Sequence, residues 1–398
     1  MKLNNIYYIL RSFPNVSETF ISDEIFSMYN WGVTPHILTF KKGNTKTVHP
    51  SAEILQNAGI VTLVSPVSKS TALKAVLGLF MIKPFHTLIC FVKAVFSPER
   101  WLFFQAAPYA LSILQKKTDF IHAHFADFNS LFASVLSTWT GIPFGITTHG
   151  YDLRNDPIPL NRARQLFLQA NLVITISEYN QHLMVSKYDI PVEKIKIIHC
   201  GIDLSQFRYS GNAKKFNQKK LRLINVGRLV PEKGQDILIK SLSEIKNRGI
   251  DYDLMIIGSG PLQDELVNLS EKHGLNSCIF FAGAQSQRNV ASMLEESDIF
   301  ILSSRNEGIP VACMEAMAVG TLVIAPRING IPELIHDRIN GLLFDSENIL
   351  QLTEIICWVN ENKKCLNNIC SNARIKIENE FEREKCTEQL IQHIENKT

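Results

Sequence analysis

The 398-residue chain is predicted to fold as two α/β domains, each a doubly wound parallel sheet, joined by one short linker. Three observations predict this. The length exceeds one comfortable hydrophobic core, so two domains are expected. Apolar runs of strand length alternate with stretches whose apolar residues recur at helical spacing, the pattern of βαβ units. The alternation pauses once, over residues 205–220, a polar stretch without periodicity that contains Gly211. The domains are therefore placed at 1–204 and 221–380, with the linker at 205–220. A terminal helix at 381–398 is expected to pack back on the first domain.

In chain order, IYYIL at 6–10 reads as a buried first strand, not a signal peptide, because Asn4 and Asn5 precede a short apolar run. Ile21, Ile25 and Met28 then fall on one helix face. Strands follow at 33–40, 60–65, 120–125, 144–149, 172–177 and 196–200, with a helix at 129–140 among the connections. After the linker, strands are expected at 221–226, 253–257, 278–281, 298–303 and 322–325. Two such sheets joined by one linker would form a cleft, with ligands at the carboxyl ends of the strands.

Composition excludes several classes. Hydrophobic residues at 45% and charged residues at 20% are ordinary for a globular protein, and a formal charge of +3 gives no reason to expect nucleic acid. The eight cysteines form no C-x-x-C pair, so they are read as reduced thiols of a cytosolic protein.

One region breaks the rhythm. No acidic residue lies between Glu53 and Glu99, while Lys69, Lys74, Lys83 and Lys93 do. Its apolar core at 72–96 is cut by Lys83–Pro84 into pieces well under the ~20 residues of a spanning helix. Two readings stay open: a helical hairpin buried on the first sheet, or a basic apolar surface lying on an anionic membrane.

Five loops that follow predicted strands carry chemistry. The stretch SSRNEGIPVACMEAMAVG at 303–320 puts Glu307 on a loop and Glu315 in the helix beyond. Pro310 suits the first helical position, and the free amides of that turn offer donors to an anion or a sugar hydroxyl. NVGRLVPEKG at 225–234 puts Arg228 and Lys233 on a turn, two cations suited to a diphosphate. IIGSGPL at 256–262 places Gly258 and Gly260 where backbone approach to a ligand needs small residues. THGYD at 148–152 leaves His149 at a strand end. In the first loop, Ser17 is a candidate cap for the first helix and a contact for phosphate. For each there is a plainer reading: a dipole-compensating glutamate, surface charges, a turn glycine, a core histidine. No third glycine completes a dinucleotide fingerprint, and no P-loop or hydrolase elbow occurs. The Asp251-x-Asp253 pair precedes its strand and is not read as a metal site.

Together these strings resemble the group 1 family of retaining GT-B glycosyltransferases: THG at 148–150, HCGIDLSQF at 199–207, NVGRLVPEKGQDILI at 225–239, IIGSGPL, FAG at 281–283, the E-x7-E stretch, and NGIPELI at 329–335 with NGLLF at 340–344. FPNVSETFISDEI and HAHFADFNS resemble a bacterial subgroup that builds exopolysaccharide, capsule or lipopolysaccharide units, colanic acid enzymes among them.

The resemblance implies a nucleotide-diphosphate sugar in the C-terminal domain, with no cofactor and no metal. Arg228 and Lys233 would neutralise the diphosphate leaving group. Glu307, with the amides of Gly308, Ile309 and Val311 around Pro310, would hold the sugar, and Glu315 the ribose hydroxyls. Gly258 and Gly260 would line the nucleotide pocket, residues 283–290 would edge the base, His149 would contact the sugar, and Ser17 would lie near the diphosphate. Many family members carry a Gly-Gly loop where this chain has PNVSE, the stretch that holds Ser17. The implied reaction is transfer with retention, without a protein nucleophile, from a UDP-sugar to a glycan acceptor, the implied partners being a polyprenyl-linked glycan and the cytoplasmic membrane surface. The alternative is a sugar-nucleotide epimerase or phosphorylase-like enzyme without a lipid acceptor.

Overall fold

The computed structural model describes residues 3–15, 18–43, 49–96, 99–209, 211, 216 and 218–398, in two compact units. Unit one comprises residues 1–201 and 384–398, and unit two residues 202–383.

Unit one holds seven parallel strands: β1 (Asn5–Phe13), β2 (Thr34–Lys42), β3 (Val61–Leu63), β4 (Phe120–His124), β5 (Phe144–Thr148), β6 (Leu172–Thr175) and β7 (Ile195–Ile197). Their order is β3-β2-β1-β4-β5-β6-β7. Alternation along β1 explains why both faces are covered. Tyr7 and Ile9 join one apolar cluster, while Ile6, Tyr8 and Leu10 join the other. Side chains on a strand point to opposite faces in turn, and a parallel sheet buries both. The C-terminal helix Arg383–Glu395 supplies Cys386, Leu390, Ile391 and Ile394 to the second of these clusters. Glu384 ties the helix down by accepting from Ser27 Oγ (3.0 Å) and Trp31 Nε1 (2.8 Å).

Unit two holds β8 (Leu221–Val226), β9 (Tyr252–Ile257), β10 (Ile279–Gly283), β11 (Ile299–Ile301), β12 (Leu322–Pro326) and β13 (Leu342–Phe344), in the order β10-β9-β8-β11-β12-β13. Strand β13 is not among the expected strands; its residues fall within the NGLLF string at 340–344. Ile299 and Ile301 face one cluster, Phe300 and Leu302 the other. In each sheet the chain order reverses once, between β1 and β4 and between β8 and β11. These reversals leave crevices at the carboxyl ends of the strands.

Two segments differ from expectation. The stretch at 205–220 is not simply solvated: Phe207 and Phe216 are buried in unit two, and Arg374 Nη1 donates to the Phe207 carbonyl at 2.8 Å. Those two aromatic residues, isolated in a polar stretch, show no periodicity but still find cores. The 72–96 region forms the helices Lys69–Ile82 and Pro84–Phe96, broken at Lys83. Ala75, Val76, Leu79, Cys90 and Ala94 pack into the sheet-facing core. The opposite faces leave Leu73, Leu77, Met81, Phe85, Leu88, Val92, Val95 and Phe96 exposed, Met81 by 83% and Phe96 by 84%. The inward face thus matches the buried-hairpin reading, while the outward face is apolar and exposed. Among the described residues, no helix is long and apolar enough to cross a membrane.

Candidate functional site

The loops after β8 and β11 flank the point where strand order reverses in unit two, and they are locked together. Gly234 has φ +60°, and a Cβ there would sit 2.1 Å from the Ser303 carbonyl oxygen, so only glycine permits this approach. Ser303 Oγ donates to the Lys233 carbonyl at 3.2 Å. Arg305 completes the clamp. Its backbone N–H donates to the Glu232 carbonyl (2.8 Å), and its guanidinium to the Pro231 carbonyl (2.8 Å), both Asp236 oxygens (2.9 and 3.0 Å) and Glu347 (2.8 Å).

That clamp places Lys233 Nζ 2.6 Å from Glu307 Oε1, with 23% and 10% of the two side chains exposed. Ser304 Oγ donates to the same oxygen at 2.7 Å. Asn329 approaches from the next loop, donating to the Glu307 carbonyl at 2.8 Å and to Asn306 Oδ1 at 2.9 Å. Arg228 is exposed, and the loop carrying it is held by Gln235 Nε2, which donates to the Arg228 carbonyl at 3.1 Å. Arg305, Asn329 and Gln235 were not singled out from sequence. Their signal is present in the strings SSRNEG, NGIPE and KGQD, but nothing in the spacing says which residue braces and which binds.

The helix after Glu307 spans Val311–Ala318, so Pro310 is its N-cap rather than its first residue. The proline ring sets φ at −77° with ψ 116°, extended backbone, and its carbonyl accepts from Cys313 N–H (3.0 Å) and Met314 N–H (3.3 Å). The amides of Val311 and Ala312 therefore begin the helix without an intrahelical acceptor, beside Gly308 and Ile309. Glu315 is buried in that helix.

At Gly258 and Gly260 the backbone of the Arg228 loop approaches closely. Their Cβ positions would lie 1.9 Å from the Gly227 carbonyl oxygen and 2.3 Å from that of Leu229. Leu229 N–H donates to the Ser259 carbonyl at 3.0 Å, and Leu262 N–H to the Leu229 carbonyl at 3.1 Å. An open groove lined by Pro231, Asp236, Leu262, Leu266 and Arg305 includes none of the residues predicted for the site.

In unit one, His149 follows β5 and is buried. Its ring lies between Phe20 and Phe125, both at 4.7 Å, and stacks on His124 at 5.2 Å. Asp152 staples its loop to the one after β4, accepting from His149 N–H (3.0 Å) and Ala126 N–H (2.7 Å). Burial first, and then the neighbouring imidazoles His124 and His122, hold His149 well below the usual histidine range and keep the ring neutral. Ser17 lies outside the described residues, and the first helix, Thr19–Asn30, has Glu18 at its N-cap instead. Among the described residues, Glu24, His122 and His124 bring metal-capable atoms within 4.8 Å of one another, a grouping invisible in the sequence because Glu24 comes from a different element.

Two family models match the chain: Glycosyl transferases group 1 over residues 210–376, and Glycosyltransferase Family 4 over residues 55–206. The amylovoran biosynthesis glycosyltransferase AmsK of Erwinia amylovora is 32% identical over 237 residues, 58% of this chain and 58% of that protein. The putative colanic acid biosynthesis glycosyltransferase WcaL of Escherichia coli is 28% identical over 96% of this chain and 97% of its own length. Among solved structures, Anabaena HepE in complex with UDP and glucose superposes with a TM-score of 0.75 at 18% identity, covering 99% of this chain and 100% of that one. At that identity the likeness is one of fold.

Proposed function

The chain belongs to the group 1 glycosyltransferases of the GT-B fold, and from that premise we propose that it transfers a sugar from a nucleotide-diphosphate donor to a glycan acceptor in bacterial surface polysaccharide synthesis. The observation that carries this reading is the Lys233–Glu307 pair at the reversal point of unit two, beside exposed Arg228 and a helix start with free amides. Cations there suit a diphosphate, and a carboxylate beside backbone donors suits sugar hydroxyls.

In this proposal Arg228 and Lys233 stabilise the charge that develops on the departing diphosphate, the task a metal performs elsewhere. Glu307 and the amides of Gly308, Ile309 and Val311 hold the sugar, and Glu315 accepts from the ribose. Gly258 and Gly260 let the Arg228 loop pack closely enough to line the nucleotide pocket. His149 serves the sugar, and Ser17 the diphosphate. An incoming diphosphate competes with Glu307 for Lys233, which frees the carboxylate to accept from sugar hydroxyls. Transfer proceeds with retention, the acceptor hydroxyl attacking on the face the diphosphate leaves and passing its proton to the leaving phosphate.

The names of the relatives, amylovoran and colanic acid enzymes, favour an exopolysaccharide product. A UDP-sugar is the donor to test first, HepE being a neighbour solved with UDP. The exposed apolar faces of the helices Lys69–Ile82 and Pro84–Phe96, with lysines and no acids, favour an acceptor on a polyprenyl carrier and attachment to the inner face of the cytoplasmic membrane. A thermal-shift screen of nucleotide sugars, followed by transfer of labelled sugar to membrane lipid extract, tests the reading. No stabilisation by any nucleotide sugar and no lipid-dependent transfer would overturn it.

A further inference from the structure

A largely buried file of polar side chains runs inward from His149, which follows β5. His149 Nε2 and His124 Nδ1 lie 2.9 Å apart. On its other side, His124 Nε2 lies 3.3 Å from Glu24 Oε1, without the geometry of a hydrogen bond. Tyr8 O–H donates to that same Glu24 oxygen at 3.1 Å. At the outer end, Cys200 Sγ lies 3.9 Å from His149 Nδ1. Four elements supply the members: Tyr8 from β1, Glu24 from the helix Thr19–Asn30, His124 from the end of β4, and His149 from the end of β5. His122, two residues before His124, packs edge-on to it at 5.0 Å and is within 2.9 Å of Thr147 Oγ1 through Nε2.

The proton positions in this file follow from one charge. Burial raises the Glu24 pKa, but the His124 imidazole and the Tyr8 hydroxyl outweigh it, and the carboxyl stays below its ordinary range. An ionised carboxylate only accepts, so the neighbouring His124 Nε2 carries a proton. With a single proton on the His124 ring, its Nδ1 is bare, and the proton in the 2.9 Å contact belongs to His149 Nε2. His149 Nδ1 is left as a lone pair, met by the Cys200 thiol, which burial keeps protonated.

We propose that Glu24 and His124 are positioning residues that lock His149 as its Nε2–H tautomer, so that His149 Nδ1 meets a donor-sugar hydroxyl as a hydrogen-bond acceptor in place of the Cys200 thiol. This rests on the assignment of His149 to the donor sugar. It adds the polarity of the contact: the imidazole reads a hydroxyl that donates. A carboxylate that fixes the tautomer of a second-row imidazole has the same physical logic as the aspartate behind the histidine of a serine hydrolase.

The test reads the tautomers directly on the full chain, without donor or acceptor, so its outcome is separate from whether the enzyme transfers sugar. Long-range 1H–15N spectra of histidine-labelled protein, assigned with His124→Asn and His149→Asn, are expected to show Nε2–H and bare Nδ1 for both residues. Glu24→Met removes the acceptor at similar size and is expected to populate the Nδ1–H form of both rings. Glu24→Gln, which keeps a carbonyl oxygen, is expected to restore Nε2–H. In parallel, kcat/KM for the donor is expected to fall about 10- to 100-fold in Glu24→Met and to recover at least partly in Glu24→Gln. A wild-type His149 protonated on Nδ1 would overturn the proposal even if Glu24→Met did not fold. Unchanged tautomers in a folded Glu24→Met protein would overturn it, as would one equivalent of bound divalent metal in the purified protein, which would make the imidazoles ligands.

Discussion

Lys233 Nζ donates to Glu307 Oε1 across 2.6 Å, joining residues 74 positions apart in sequence. A cation predicted for a diphosphate and a carboxylate predicted for a sugar therefore occupy one small site, and neither is an ordinary solvated surface charge. Removing Lys233 leaves a mostly buried carboxylate that still accepts from Ser304 Oγ. Lys233→Ala and Glu307→Ala are expected to lower transfer at least 100-fold, a loss of about 3 kcal/mol of transition-state stabilisation, in protein that still melts cooperatively. Labelled-sugar transfer alongside thermal melting checks this, and full turnover by folded Lys233→Ala would remove the residue from the mechanism.

Arg305 touches no predicted ligand group but holds the two site loops together through Pro231, Asp236 and Glu347. Arg305→Ala is expected to raise the donor KM about tenfold or more, because a loosened clamp displaces both Lys233 and Glu307. Donor titration by initial rates is the measurement. An unchanged KM would mean that Gly234 and the backbone contacts hold the loops alone.

Gly258 has φ +137° and no room for a Cβ beside the Gly227 carbonyl. Gly258→Ala is expected to destabilise unit two by about 2 kcal/mol or more, a backbone effect present without any nucleotide. Denaturant unfolding of the apo protein measures it. A variant with normal stability and impaired donor binding would instead place the glycine against the ligand.

Asp127 caps the helix Phe128–Thr140 by accepting from Asn129 N–H at 2.8 Å. Burial, aided by nearby Asp152 and opposed by that amide bond, raises its pKa from 3.8 to about 7. The raised value means the folded state binds the proton more tightly than the unfolded chain. Its stabilising contribution is thus full below 3.8 and is lost as pH rises through 7. Asp127→Asn keeps a capping oxygen and carries no charge, so its melting temperature should exceed that of wild type by more at pH 8 than at pH 5. Melts across this range decide it, and a constant difference would show that Asp127 does not titrate there.

The outward faces of the helices Lys69–Ile82 and Pro84–Phe96 give a further expectation. Cosedimentation with phosphatidylglycerol-containing vesicles should exceed that with phosphatidylcholine alone and weaken in high salt. Met81→Asp with Phe85→Asp should reduce it severalfold while leaving the fold intact, since both side chains point away from the core. Equal recovery with both vesicle types would remove the charge component.

The sequence by itself determined the fold class and the neighbourhood of the site. Strand periodicity, helical spacing and the loops after strands are local properties, written in adjacent residues. Hence 225–234 and 303–320 were identifiable as site loops, and Gly234 as a turn glycine. What the tertiary structure decided is which residues meet. Lys233 pairs with Glu307, Arg305 braces, Pro310 caps rather than opens its helix, and Gly258 packs against the Gly227 backbone. Tyr8, Glu24, His124 and His149 line up through the crossing of four elements whose separations in sequence carry no period. The physical reason is that periodicity records which face of an element is apolar, while hydrogen bonds and ion pairs between elements depend on register across the sheet, which no single stretch encodes.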